Sequence, residues 1–116
     1  MLNFLSDTLR EAGHEVLTAF DGWSALELVR AAQQMDLVIT DYQMPGMNGL
    51  EFMAVLKEIR PALRVIMISV FARTDVYLKA ISLDVAEFLE KPIKPMLLKR
   101  VVEAVTNKSA PDEAVL

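Results

Sequence analysis

Apolar residues recur along the chain in two alternating rhythms, a helical spacing of three and four residues and short unbroken runs suited to strands. Leu2, Leu5, Leu9 and Ala12 keep the helical spacing, Ser6, Asp7, Arg10 and Glu11 fill the opposite face, and Gly13 ends the pattern. Glu15 to Phe20 reads as a short strand closed by the Asp21-Gly22 turn signal. Asp21 is placed to cap a helix from Trp23 to Gln33, with Ala25, Leu28, Val29 and Ala32 on one face and Trp23 as a packing residue at its start. Leu37 to Asp41 is the next strand, and the loop after it is punctuated by Pro45, Gly46 and Gly49. Asn48, with Glu51 three residues on, forms a variant capping box for a helix to about Arg60, where Phe52, Leu56 and Ile59 supply the buried stripe and Pro61 the stop.

Leu63 to Ser69 is too short for a helix and rich in β-branched residues, as a strand covered on both faces requires. Arg73 to Leu83 carries a weaker helical pattern through Val76, Tyr77, Ala80 and Ile81, and Ala86 to Leu89 is a brief strand. A last helix starts at Pro95 and holds Leu97, Leu98, Val101, Val102 and Val105 on its apolar side. The order αβαβαβαβα implies parallel strands joined by right-handed crossovers, an α/β domain over residues 1–107, with residues 108–116 as a flexible tail.

At 116 residues the chain is one domain's worth, and 53% hydrophobic residues can build a core without staples. No apolar run approaches the roughly 20 residues of a spanning helix, and no signal peptide pattern is visible, so a membrane role is not expected and a cytoplasmic location is. The absence of cysteine removes disulfides, thiolate metal sites and cysteine nucleophiles, and a single histidine, His14, cannot build a triad. A net charge of −4 argues against a surface that tracks nucleic-acid phosphates.

Three expected strand ends deliver Asp41, Ser69 and Lys91 to one edge of the sheet, the edge where open α/β folds collect their ligands. Singly, Asp41 fits a turn aspartate, Ser69 a turn hydroxyl and Lys91 a solvated charge beside a proline. Together they are a carboxylate, a hydroxyl donor and a cation, the set that a carboxylate accepting a phosphoryl group needs around the new equatorial oxygens.

The runs Val38-Ile39-Thr40-Asp41-Tyr42-Gln43-Met44-Pro45-Gly46-Met47-Asn48-Gly49, Val65-Ile66-Met67-Ile68-Ser69 and Phe88-Leu89-Glu90-Lys91-Pro92 resemble the receiver domain of two-component response regulators, in family order and at similar spacing. The resemblance implies a flavodoxin-like doubly wound parallel sheet. It implies that Asp41 is the phosphoacceptor from a histidine kinase or phosphotransfer protein, Ser69 the hydroxyl that follows the phosphoryl group, Lys91 the phosphate-binding lysine and Phe88 the switch aromatic. Phe88 fits a plain core residue equally well. The resemblance implies magnesium as the metal, with Asp41 and the Gln43 backbone carbonyl as ligands.

The family begins with a central strand ending in an acidic pair, and here the first helix aligns with the family's first helix, so both features fall upstream of Met1. The expectation is a sheet of about four strands and five helices, with the first strand missing between the strands at Val16 and Val38. Because Mg²⁺ is a hard ion that wants several oxygen ligands, the metal is expected to bind weakly or not at all, and phosphotransfer to be impaired. The gap would span roughly two 4.8 Å strand spacings. Strand or helix exchange in a homodimer, or a new neighbour for the Val16 strand, is expected to fill it.

Two other functions compete. A phosphorylation-independent interaction or dimerisation module would keep the surface and lose the chemistry. An aspartate-nucleophile phosphatase would carry a second aspartate two residues after Asp41, where Gln43 stands, so an enzyme is not expected. A nucleotide or flavin site is disfavoured because no glycine-rich loop follows any strand.

Overall fold

The computed structural model of the chain describes residues 2–32, 34–70, 73–106 and 113–115. Its elements, in order, are α1 (Leu2–Glu11), β1 (Glu15–Leu17), α2 (Gly22–Ala31), β2 (Leu37–Asp41), α3 (Gly49–Ile59), β3 (Arg64–Ser69), α4 (Thr74–Ser82), β4 (Glu87–Glu90), α5 (Pro95–Thr106) and β5 (Glu113–Val115). All strand pairs are parallel, in the order β1-β5-β2-β3-β4.

Successive residues of the central strands enter opposite cores, which is the period of two that a sheet covered on both faces imposes. Leu37, Ile39, Ile66 and Ile68 pack with Leu5 and Leu9 of α1 and Leu98 and Val102 of α5. Val38, Val65 and Met67 pack with Leu26 and Val29 of α2, Phe52 and Leu56 of α3, and Ala80 of α4. Two helices on one face and three on the other make the doubly wound arrangement.

Local chemistry fixes the helix ends. The His14 N–H bonds to the Leu9 carbonyl at 3.1 Å and the Gly13 N–H to the Arg10 carbonyl at 3.0 Å, a Schellman closure with Gly13 at φ 95°. α4 closes the same way through Val85 to Ala80 and Asp84 to Ile81, but the left-handed position, φ 66°, belongs to Asp84. Asn48 and Glu51 form the reciprocal capping box of α3.

The expectation of four strands around a vacant centre is corrected. The position between β1 and β2 holds β5, which pairs Glu113–Val115 with Glu15–Leu17 on one side and Ala114–Val115 with Leu37–Val38 on the other. Part of the expected tail is therefore a central strand, placed there because backbone amides and carbonyls in a covered sheet need partners. The slot is filled within one chain, and β1 acquires β5 as its neighbour. Residues 108–112 and 116 of the expected tail, residue 107 at the expected end of the domain, and Gln33 at the expected end of the second helix lie outside the described residues. β1 is also shorter than the expected Glu15–Phe20, and among the described residues it has a ladder partner only as far as Leu17.

Candidate functional site

β2, β3 and β4 run in register, so their carboxyl ends meet at one edge: Asp41 pairs with Ile68, and Ser69 with Glu90. The Lys91 N–H continues the ladder to the Ser69 carbonyl at 2.8 Å, which fixes where the lysine leaves the sheet. From there the Lys91 ammonium reaches the Asp41 carboxylate, Nζ to Oδ2 at 2.5 Å. The side chains of Lys91 and Asp41 are 21% and 26% exposed, sheltered enough for a charge-assisted bond to hold and open enough for a ligand to arrive. Oδ1 of Asp41 accepts the Gln43 backbone N–H at 3.2 Å. An ionised carboxylate offers about four lone-pair sites, so two bonds leave acceptor capacity on both oxygens.

The loop after β2 is held by backbone contacts. The Tyr42 N–H bonds to the Ile68 carbonyl at 2.8 Å and the Gly49 N–H to the Tyr42 carbonyl at 2.7 Å. A Cβ on Gly49 would stand 2.6 Å from the Asp41 carbonyl oxygen and 2.9 Å from the Tyr42 Cα, so this approach requires glycine. Thr40 Oγ1 donates to the same Asp41 carbonyl at 3.0 Å. Ser69 is buried at the edge beside this loop. Phe88 is half-buried on β4, packs against the α2–α3–α4 core and meets Tyr77 of α4 edge-on, ring centroids 5.6 Å apart.

A cavity of about 210 Å³ opens beside Asp41, lined by Val38 to Asp41 of β2, by Gln43, Met44 and Pro45, by Ala19 to Asp21 after β1, and by Leu5, Ala25 and Phe52. Asp21, read from the sequence as a helix cap, therefore shares a cavity with Asp41. Its carboxylate is committed to capping α2, Oδ1 accepting the Ser24 N–H at 2.8 Å. That bond and the Ser24 side chain hold its carboxyl below the usual carboxylate range.

Neither Asp21 nor Gly49 was singled out as a site residue from the sequence. Asp21 carries a capping signal that says nothing about its distance to β2, and Gly49 carries a turn signal shared with every loop glycine.

The sequence matches the response regulator receiver domain over residues 1–103. The chain belongs to this receiver family. It is 37% identical over 111 residues to the DNA-binding transcriptional regulator NtrC of Azospirillum brasilense, covering 96% of this chain and 23% of that protein. It is 32% identical over 110 residues to the chemotaxis protein CheY of Thermotoga maritima, covering 94% and 88% of the two. The solved receiver domain of NtrX from Brucella abortus superposes with a TM-score of 0.84 at 31% identity, over 91% of this chain and 89% of that one. The chain thus spans about a quarter of the NtrC relative and most of CheY.

Receiver domains interact with histidine kinases or phosphotransfer proteins and generally bind Mg²⁺. The donors around Asp41 in this receiver do not fit that ion well. The cavity brings one further carboxylate, Asp21, which is already engaged as a cap, and among the described residues no cluster of three acidic or histidine side chains could hold a metal. No helix among the described residues is long and apolar enough to cross a membrane.

Proposed function

We propose that this receiver takes a phosphoryl group on Asp41 from the phosphohistidine of a kinase or phosphotransfer protein. The Asp41–Lys91 contact carries the proposal, because it pairs a nucleophilic carboxylate with a fixed cation at the productive edge of the sheet. In the transfer, an Asp41 carboxylate oxygen forms a bond to phosphorus as the phosphorus–nitrogen bond to histidine breaks, and the departing imidazole takes up a proton. The Lys91 ammonium and the Ser69 hydroxyl then serve as donors to the new equatorial oxygens. The chain acts as a phosphoacceptor and not as an enzyme that turns over a substrate.

Ser69 and Phe88 are the switch pair in this reading. Phe88 touches Tyr77 of α4, a helix on which Leu78 and Ile81 stand exposed, so a shift of the Phe88 ring changes a surface that a protein partner can contact. The poor donor set for Mg²⁺ favours a second reading, a phosphorylation-independent module that acts through the same surface.

Incubation with a small phosphodonor and Mg²⁺, followed by intact mass measurement, separates the two. A single phosphate adduct that is lost in Asp41→Asn supports the first. No adduct on a protein with native circular dichroism supports the second.

A further inference from the structure

Trp23, expected from the sequence to pack at the start of α2, is instead 61% exposed, and Phe20 three residues before it is 78% exposed. A water-facing indole and phenyl on either side of Asp21 are not core, and the phosphoacceptor chemistry leaves both unused. Their place in the fold follows from the all-parallel sheet. Phe20 follows β1 and Trp23 opens α2, so both stand at the carboxyl edge that also presents Asp41. The two loops touch: a Cβ on Gly46 would stand 3.6 Å from Trp23 Nε1, and one on Gly22 would meet the Met47 sulfur at 2.8 Å. The start of α2 is therefore seated on the loop that leaves Asp41, with the indole resting on Gly46 and most of its surface open. Across Asp41, Val70 follows Ser69 at the end of β3 and is 44% exposed. Apolar surface thus stands on both sides of the carboxylate.

We propose that Trp23, assisted by Phe20, is a docking contact for the phosphohistidine-bearing surface of the donor protein, and so a residue that determines which donor this chain accepts. The inference rests on the phosphoacceptor reading of Asp41 and adds the partner's footprint to it. Receiver domains interact with histidine kinases or phosphotransfer proteins, and transfer to Asp41 brings the donor's phosphorus to bonding distance of the carboxylate. A standard interface buries about 800 Å² on each partner, a disc of about 16 Å radius. Centred on Asp41, in a molecule whose extents are 33 × 30 × 24 Å, that footprint takes in the start of α2. Tryptophan is among the residues whose truncation costs such interfaces most, and a ring already seated on Gly46 loses little freedom on binding. Apolar groups on both sides of Asp41 also exclude water from the phosphoryl group in transit, which water would otherwise hydrolyse. Charge sets the rest of the donor's chemistry. Asp21 separates the two rings in the chain and exposed Glu27 lies one turn along α2 from Trp23, so a lysine or arginine stacked on the indole is the complement.

The histidine kinases of the organism that encodes this chain, autophosphorylated and presented one at a time to the full chain with Mg²⁺, supply the probe, and the fastest donor is carried forward. Loss of label from that kinase, followed as the chain is raised in excess, gives a half-saturating concentration and a limiting rate. Trp23→Ser should raise the half-saturating concentration about 30-fold, the loss expected of a central tryptophan, with the limiting rate within about twofold and the melting temperature unchanged. Trp23→Phe should restore most of that loss, and Phe20→Ser should cost severalfold. The adduct from acetyl phosphate, which needs no docking surface, is measured in parallel. An unchanged half-saturating concentration in Trp23→Ser would overturn the proposal, as would a loss confined to the limiting rate or one that follows a lowered melting temperature. Failure of every kinase to transfer would overturn it too. In that case an Asp41 adduct from acetyl phosphate leaves the phosphoacceptor reading standing, and no adduct from either source sinks both. Self-association of the chain that is lost in Trp23→Ser while kinase transfer is kept would give the rings to a second copy instead.

Discussion

Lys91 and Asp41 are 50 positions apart in the chain, and their side chains meet at 2.5 Å across the carboxyl ends of two strands that are not themselves neighbours. β3 sits between them and sets the spacing through the Lys91 bond to the Ser69 carbonyl. The consequence is a cation held at the place where negative charge would accumulate on a phosphorylated Asp41. Lys91→Met should slow formation of the phosphate adduct by about 100-fold, the usual loss when one fixed donor to a developing anion is removed. Time-resolved intact mass checks this, and an unchanged rate would remove Lys91 from the chemistry.

Gly49 controls how closely α3 approaches that carboxylate. In Gly49→Ala the new Cβ would meet backbone atoms at 2.6 and 2.9 Å, which no side-chain rotation relieves. The expected destabilisation is about 1–3 kcal/mol, measured as a lower midpoint in denaturant at an unchanged slope. Because the displaced atoms belong to Asp41 and Tyr42, adduct formation should fall with stability, whereas a distant substitution of equal destabilisation should leave it unchanged.

The end of α4 offers the opposite effect. Asp84 occupies a left-handed conformation that glycine adopts without a Cβ penalty, and its Schellman bonds come from the backbone. Asp84→Gly should raise stability by up to about 1 kcal/mol, the strain relieved less the extra entropy of glycine in the unfolded chain. Thermal unfolding reads the change directly.

Asp21 links stability to acid. Its folded carboxyl is held below the usual range by the Ser24 backbone N–H and then by the Ser24 side chain, so the unfolded state binds its proton more readily. The stabilisation is complete above the unfolded carboxylate value of about 3.9 and is lost as pH falls through the folded value. Asp21→Asn, which keeps an oxygen acceptor, should flatten this part of the acid limb. Asp21→Ala should lower the melting temperature at neutral pH as well. Melting curves between about pH 2 and 7 distinguish them.

These positions differ in how openly the chain announces them. Asp41, Ser69 and Lys91 end apolar runs, and in a parallel sheet the end of a run is a place in space, so their convergence was readable before any coordinates. The capping box at Asn48 and Glu51 was readable because both partners lie within one turn. β5 was not. Glu113, Ala114 and Val115 have no period of their own, and what makes them a strand is the pair of ladders offered by β1 and β2, far away in the chain. Phe20 was misplaced in the first strand for a related reason: its apolar side chain fits a strand pattern, but among the described residues no ladder partner extends beyond Leu17. The shared cavity of Asp21 and Asp41 was hidden with them, because the distance between β1 and β2 is set by what stands between.

Among the described residues β5 is also the sole bridge between β1 and the rest of the sheet, since β1 has no other strand neighbour there. Closing that bridge joins segments separated by almost the whole described chain, the most demanding loop closure in the fold. β2, β3 and β4 can assemble from nearer contacts and wait. In hydrogen exchange the amides of β1 and β5 should therefore open together, as one cooperative unit of lower stability than the β2–β3–β4 core, and the cavity beside Asp41 widens whenever they do.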